Sequence, residues 1–538
     1  MQLLWVIASL VFAWKLKADE SLLKVHSEKP LQAEATSGAL IPFETPIAGF
    51  FIRNHHDVPV VSPEDHVVVV NGLVDNPLRL TLKELREFPQ KELYAVLECS
   101  GNRRGLQIPS AGGIQWTEGA LGNAEWSGPQ LKTILEKARV RPEGRFITVR
   151  GADEPALPAT PAFIRSIPLQ KANEQDSILA LTMNREPLPL LHGGPVRLVL
   201  PRWYGQNWVK WITEIKITAE EDSGFFMRKA YRMPKKPLKV GEPWNSEEGA
   251  PIQELLVQSL IVQPEPLEWV ASGKVTVRGK AFTGTGEIVR VEISENGGKR
   301  WRTARLMPPH PRGGWREFEL DLEIKQNKTY RVLSRATDSQ GNTQPMTHTW
   351  NPAGYLRNAV GESQFVVASA QAVSGYQTYK SRCLVCHTSG IIESQPLGKD
   401  GWKKTLQKMK HFGVQLDSEE EAAVLEFLLQ LKKKKTVTSS VSTYEEQKNR
   451  FQLPSGALKK NISTGQQIYE KNCASCHGIE GQGKIGPRLR ARLIPKDSFF
   501  NVIAQGRNSM PAFRETLDGD QLEALWSFLQ RPLTSENN

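Results

Sequence analysis

LECSGNRRG, residues 97–105, holds one of the five cysteines of this chain, with two adjacent arginines close behind it. A thiolate is a soft, charged metal ligand, and neighbouring guanidinium groups lower a thiol's pKa. Two arginines together also offer planar forks to an anionic substrate or an anionic cofactor. From local residues alone, the segment reads equally well as a buried free thiol beside a solvated arginine pair. The rest of the chain decides between them.

The other four cysteines form two copies of one motif, CLVCH (383–387) and CASCH (473–477), and leave no pair for a structural disulfide. Two thiols one helical turn apart can reach the two vinyl groups of a haem, and the adjacent histidine then becomes the proximal iron ligand. Cys383, Cys386, Cys473 and Cys476 are therefore the covalent anchors for two c-type haems, with His387 and His477 on the irons. Each motif follows a tyrosine by four residues, in SGYQTYKSRCLVCH and STGQQIYEKNCASCH, and each precedes an amphipathic helix. LDSEEEAAVLEFLLQL carries Asp417 or Ser418 as its cap, with Ala423, Val424, Phe427, Leu428 and Leu431 at helical spacing. LDGDQLEALWSFLQRP repeats the pattern with Leu522, Leu525, Trp526 and Leu529. For the sixth iron ligand, GRNSMPAFRE offers Met510 and resembles the methionine loop of small cytochromes c. GWKKTLQKMKHFG offers both Met409 and His411. A thioether ligand raises the potential relative to two histidines, which suits outward electron transfer.

At 538 residues the chain exceeds a single core, and its net charge of +11 points to an anionic substrate or an acidic partner. Nothing in it resembles a nucleic-acid-binding module. The apolar run from Leu3 to Trp14 is the length of a signal h-region and too short to span a bilayer, which predicts a signal peptide over 1–20, export to a periplasm-like compartment and no transmembrane anchor. Residues 38–250 read as mixed α+β, alternating strand-like runs such as DHVVVVNGLV and GPVRLVLPRW with helical TLKELREF and SGPQLKTILEKARV. A basic, proline-rich stretch closes that domain. Residues 251–362 alternate with period two: Val275 and Val277 share one face, as do Val289, Val291 and Ile293, with turns at Asn296-Gly297-Gly298 and Gln340-Gly341-Asn342. That pattern predicts an immunoglobulin-like β-sandwich. Two all-α cytochrome domains follow, at 370–432 and 460–532, joined by a charged, Ser/Thr-rich linker at 433–459.

With two haems to be loaded, the opening segment gains a context. ECSGNRR resembles the CxGNRR motif of the sulfite oxidase family, whose cysteine binds molybdenum. FFIRNHHDVPV resembles the family's RNH segment, and HGGPVRLVLPRWYGQNWVKW its pterin-binding stretch. IQELLVQSLIVQPEP and WNPAGYLRN resemble the opening and close of its dimerisation domain. The resemblance covers about residues 38–362. It implies that Cys99 ligates molybdenum, and that Phe51, Ile52, Arg53, Asn54 and His55 line the pterin. Asp153, His192, Arg197, Trp208, Val209 and Lys210 would hold the molybdopterin. Arg53 and Arg104 would clamp the substrate anion, with His55 and Tyr231 beside them and Trp116 as an aromatic wall. Arg357 is the nearest match to a further basic residue of the animal enzymes. The tryptophan, methionine and glycine order around Met409 is similar to that of cytochromes paired with sulfite dehydrogenases, which favours Met409 over His411.

The resemblance implies a molybdenum-dependent sulfite dehydrogenase that oxidises sulfite to sulfate and passes electrons through both haems to an external cytochrome c or oxidase, as a homodimer through the sandwich. A periplasmic reductase of sulfoxides or nitrate, fed by the haems, uses the same cofactor set in the opposite direction. The β-sandwich and the arginine pair favour the oxidase. A dihaem carrier that has lost molybdenum is disfavoured by the presence of Cys99, Arg53, His55 and Tyr231 together.

Overall fold

A computed structural model describes residues 22–155, 157, 160–324, 328–386, 389–395, 397–433, 458–477, 489, 499–500, 502–503 and 517–529. The chain divides after Lys432 into two compact units. The segment expected to be a signal peptide lies outside the described residues, as does most of the expected linker.

The first unit begins with mixed α+β structure. The valine run alternates as expected: in Val67–Gly72, Val68 and Val70 are fully buried while their neighbours face outward. That strand pairs parallel with Ile212–Thr218 inside a five-stranded sheet ordered 78–81, 67–72, 212–218, 146–151, 164–168. A helix over Leu82–Glu87 follows Thr81, whose side chain and that of Glu84 close a capping box. A second sheet is built on two nine-residue antiparallel strands, Gln90–Glu98 and Leu121–Pro129. The first of these ends immediately before Cys99. The fold starts earlier than the boundary expected at residue 38. Leu31–Ala35 pairs with Leu23–Glu28 and with Ile52–Arg53, so residues 23–35 complete the sheet that holds Arg53. The strand LKVHSE is only half-buried and gives no strong periodic signal.

Residues 258–368 form two packed antiparallel-dominated sheets, ordered 258–263, 273–282, 316–324, 305–306 and 269–271, 361–368, 329–338, 288–294, 302–303. Val275, Val277, Val291 and Ile293 are buried between them, but Val289 is 54% exposed. A register shift between Ile288 and Arg290 supplies the reason: a bulge there turns Val289 outward and brings Ile288 into the core instead. The turns hold, with Gly297, Gly298 and Gly341 all at positive φ.

The last strand, Gly361–Ala368, outruns the boundary expected at residue 362. Ser369 then caps a helix over Ala370–Thr378 with no intervening linker. Trp269 of the sandwich sits in one apolar cluster with Tyr379, Trp402, Leu406, Val424, Phe427 and Leu428 of the first helical domain, its ring 4.8 Å from that of Phe427. Sandwich and first helical domain thus share a core. The helix over Ser418–Lys433 is capped by Asp417, whose carboxylate accepts from the amides of Glu419 and Glu420.

The repeat seen in the sequence is a repeat of contacts. Gly375 and Gly465 each stand eight residues before the first cysteine of a CxxCH motif. A Cβ on Gly375 would meet the carbonyl oxygen of Ala423 at 1.9 Å, and one on Gly465 that of Ala524 at 2.0 Å. Each tyrosine, Tyr379 and Tyr469, is buried and packs on a phenylalanine of the later helix, Phe427 at 4.9 Å and Phe528 at 5.4 Å. The second unit comprises the described helices Leu458–Asn472, Ala474–His477 and Gly519–Leu529 around Tyr469, Cys473, Leu525 and Phe528.

Trp269→Ala should therefore destabilise the first helical domain and the sandwich together. The loss expected from equilibrium denaturation is about 3–5 kcal/mol, the range for emptying a buried aromatic site. Haem absorbance and tryptophan fluorescence should then give separate rather than coincident transitions.

Candidate functional site

Cys99 follows the last residue of the Gln90–Glu98 strand, and its half-buried, unpaired thiol stands in the wall of a cavity. The same wall holds Phe51, Arg53, His55, Asp153, His192, Arg197, Trp208, Lys210 and Tyr231, so residues spread over 180 positions of sequence meet in one place. Ile52, Asn54 and Val209 alternate with them and face away. Asn54 is buried behind the wall, donating from Nδ2 to the Leu31 carbonyl at 2.9 Å and accepting from Lys210 Nζ.

The wall is rich in cations and poor in acids. Arg197 lies between two indoles, 5.2 Å from the Trp126 ring and 5.9 Å from that of Trp208. It donates to the carbonyls of His192 at 2.7 Å and Trp208 at 3.1 Å, while its Nε has no acceptor among the described residues. Burial pushes its pKa down to about 9. Burial, reinforced by Arg197 and Arg53, also holds Lys210 well below its usual range. His192 falls to about 3 through burial, with Lys210 and Arg197 adding to the effect, so it is a neutral donor to the Ile47 carbonyl at 3.2 Å. Asp153 is the single acid of this wall, raised to about 6 by burial against the pull of Lys210. Buried cations without carboxylate partners are costly unless an anion arrives to neutralise them. The donor set therefore fits a phosphate-bearing cofactor, and the Cys99 thiol supplies a soft metal ligand beside it.

In the same cavity His55 and Tyr231 share a hydrogen bond of 2.5 Å. Burial depresses the imidazole well below its normal pKa, with Arg53 the first of the surrounding charges, and burial raises that of the phenol. Both groups are therefore neutral near pH 7. Tyr231 and Trp211, both wall residues, hold left-handed φ angles of 56° and 51°. A non-glycine residue pays roughly 1–3 kcal/mol for such a conformation, which persists only where surrounding contacts impose it.

Three expected residues lie elsewhere. Arg104 is buried outside the wall: its Nε donates to Ala353 O at 2.9 Å and its Nη1 to Ile114 O at 3.1 Å, with the guanidinium 5.0 Å from the Tyr355 ring. Trp116 is fully buried in the core with its ring edge against His26, 4.9 Å away, and forms no part of the wall. Arg357 faces Arg103, Glu118 and Glu362. Conversely, Leu97, Phe163, Leu191, Gly205, Gln206 and Trp211 complete the wall, and Arg165 stands behind Tyr231. Leu97, Gly205, Gln206 and Trp211 lie inside the stretches quoted above, whereas Phe163, Leu191 and Arg165 carried no sequence signal.

The Cys99 loop is held by the sandwich. Ser100 O accepts from Leu356 N at 2.8 Å, and Arg103 donates to Ala359 O at 3.1 Å and Ser259 O at 3.0 Å. Gln107 reaches Asn351 O at 2.9 Å. Beneath the loop, the buried Glu98 carboxyl accepts from Asn102 at 2.9 Å and from Gln258 at 2.8 Å.

In the first helical domain Cys383 is half-buried, its thiol raised by burial, and Cys386 is exposed; neither is disulfide-bonded. Val385, Ile391 and Phe412 are large apolar side chains left mainly exposed in this domain. Met409 is half-buried and His411 exposed on the helix Lys399–His411. In the second unit Cys473 and His477 are buried one turn apart, with His477 N donating to Cys473 O at 2.9 Å. His387, Met510 and the Cys476 side chain lie outside the described residues.

Residues 55–226 match the oxidoreductase molybdopterin-binding domain, and 249–362 the Mo-co oxidoreductase dimerisation domain. Residues 379–484 match a dihaem cytochrome c model, and 460–529 that of cytochrome c oxidase, cbb3-type, subunit III. The chain is 34% identical to a sulfite oxidase of Arabidopsis thaliana over 63% of its own length and 92% of that protein's. It is 36% identical to a sulfite oxidase of Gallus gallus, over 63% and 76%. The sulfane dehydrogenase SoxCD from Paracoccus pantotrophus superposes with a TM-score of 0.55 at 30% identity, covering 63% of this chain and 85% of that one.

Burial raises the Glu98 pKa from 4.5 to about 7. The folded state thus binds a proton more tightly than the unfolded chain, and the associated stability is full below pH 4.5 and lost as pH rises through about 7. Relative to wild type, Glu98→Gln should gain stability across that window, by about 3 kcal/mol at most. Denaturant titrations at pH 4.5, 6 and 7.5 would measure it.

Proposed function

The chain belongs to the sulfite oxidase family, and we propose that it works as a sulfite dehydrogenase whose electrons leave through its own two C-terminal haems. The observation that carries this reading is the meeting of an unpaired cysteine thiol, a guanidinium and a neutral His–Tyr pair in one cavity, continuous with a cation-rich wall. Arg197, Lys210, His192 and the backbone around Trp208 would hold the pterin phosphate and ring, with Asp153 at the same wall, and Cys99 would ligate the metal. The molybdenum cofactor supplies two-electron oxygen-atom exchange, so that sulfite and water become sulfate, two electrons and two protons.

The protein's share is recognition and orientation. Arg53 draws the oxyanion inward and aligns it, since its charge is fixed and its donors are planar. Tyr231 keeps its proton at working pH and donates it as a hydrogen bond to a reacting oxygen. His55 stays neutral and fixes the direction of the phenol through their shared bond. Phe51, Phe163 and Trp211 limit water around these groups. Cys383 and Cys386, and Cys473 and Cys476, would anchor two covalent haems, with His387, His477, Met409 and Met510 as their iron ligands, and these groups would supply single-electron transfer outward.

An external cytochrome c or oxidase is the proposed acceptor, and a homodimer through the sandwich the proposed assembly. No helix among the described residues is long and apolar enough to cross a membrane. Haem attachment to CxxCH, together with the apolar run at residues 3–14, supports a periplasmic location.

The decisive experiment adds sulfite anaerobically to the oxidised holoprotein and records the haem spectrum. Both haems should be reduced, Cys99→Ser should abolish the reaction, and haems that stay oxidised in molybdenum-loaded protein would exclude this function. Arg53→Gln should lower kcat/KM by about 2–4 kcal/mol in barrier height, chiefly through KM.

A further inference from the structure

Arg165 lies on Ile164–Pro168, the edge strand of the five-stranded sheet. Its side chain is 2% exposed. Its hydrogen-bond partners are neutral oxygens: Nη1 donates to Phe226 O, Nη2 to Asn207 Oδ1 at 2.9 Å, and Nε has no acceptor among the described residues. No ion pair joins it to a carboxylate among those residues. A guanidinium enclosed in this way keeps an unspent positive charge, which is tolerable only where an anion comes close.

Its position identifies that anion. The guanidinium carbon is 5.6 Å from the centroid of the Tyr231 ring, and its charge bears on both Tyr231 and His55. Arg53 is the other arginine that bears on both. Arg104, the partner that family resemblance implies for Arg53, instead faces Tyr355, which lies between it and Tyr231 in a stack with centroids 5.6 Å apart. Phe163, two residues from Arg165, stacks on His55 at 3.9 Å and 15°. One short segment therefore braces both members of the His–Tyr pair.

We propose that Arg165 is the second cation of the substrate site, a positioning residue that acts across the Tyr231 ring and, with Arg53, selects an oxyanion. The assignment rests on the sulfite reading of this cavity; Arg165 stands behind the wall and acts through Tyr231, which lines it.

The test uses the holoenzyme, sulfite as substrate and sulfate as a non-reacting anion. Arg165→Met should raise both the KM for sulfite and the calorimetric Kd for sulfate about tenfold or more, with a smaller change in kcat. Arg165→Lys should recover most of the loss. Asn207→Asp sets a carboxylate against Nη2 and neutralises the guanidinium in place, so it should weaken sulfate binding as Arg165→Met does. If the role were only structural, Asn207→Asp would leave sulfate binding unchanged, and Lys would fail to rescue. Should Arg165→Met not fold, Asn207→Asp decides alone. Sulfate affinities within about twofold of wild type, a change under 0.5 kcal/mol, or a wild-type enzyme that does not bind sulfate, would overturn the proposal. Haems that sulfite cannot reduce would refute the sulfite reading itself, and the sulfate titration would still report on Arg165.

Discussion

The loop after Cys99 is held in part on a frame that its own domain does not provide. Ser100, Arg103, Arg104 and Gln107 all find partners in residues 351–359 or at Ser259, contributed by the sandwich and the stretch that closes it. Arg103 itself adopts a left-handed φ of 63°, a conformation that such fixed contacts can impose. The first arginine of the GNRR motif thus has structural work as well as charge. A metal ligand on a loop keeps its direction only while its anchors hold, so the sandwich is part of the site as well as a platform for assembly.

A second constraint is charge. Arg53, Arg197 and Lys210 line a cavity whose wall contains one carboxylate, Asp153, and Arg165 stands behind its Tyr231. Such an arrangement favours an anion in the cavity. The burial that makes the cations costly also keeps His55, His192 and Tyr231 neutral. Recognition and protonation state therefore share one cause.

The two haem domains show how a motif is turned into geometry. Gly375 and Gly465 let the first helix touch the backbone of the last, and Tyr379 and Tyr469 fill the space one turn below. That contact places the first thiol of each motif at a fixed height. In the first domain the same core continues into the sandwich through Trp269, which ties this haem domain to the frame that holds the Cys99 loop.

The sequence by itself determined the elements whose signals are local. Period-two valines set the strands, paired CxxCH motifs the haem domains, and quoted motifs the cysteine, the RNH segment and the VKW stretch. Val289 shows where this stops: a bulge is a property of pairing, and no single strand reveals that its register will slip. The hairpin before residue 38 was hidden for the same reason, since half-buried strands lack a strong pattern until a partner covers them. Motif membership also did not fix direction. Trp116 packs into the core and Arg104 turns to Ala353, while Arg165 and Phe163, in an ordinary strand segment, brace the reactive pair. The chemistry available was written in residue types and spacing. Which charges face the cavity was decided only in the tertiary structure, because orientation depends on backbone oxygens and rings brought together from distant positions, Phe226 for Arg165 and Ala353 for Arg104.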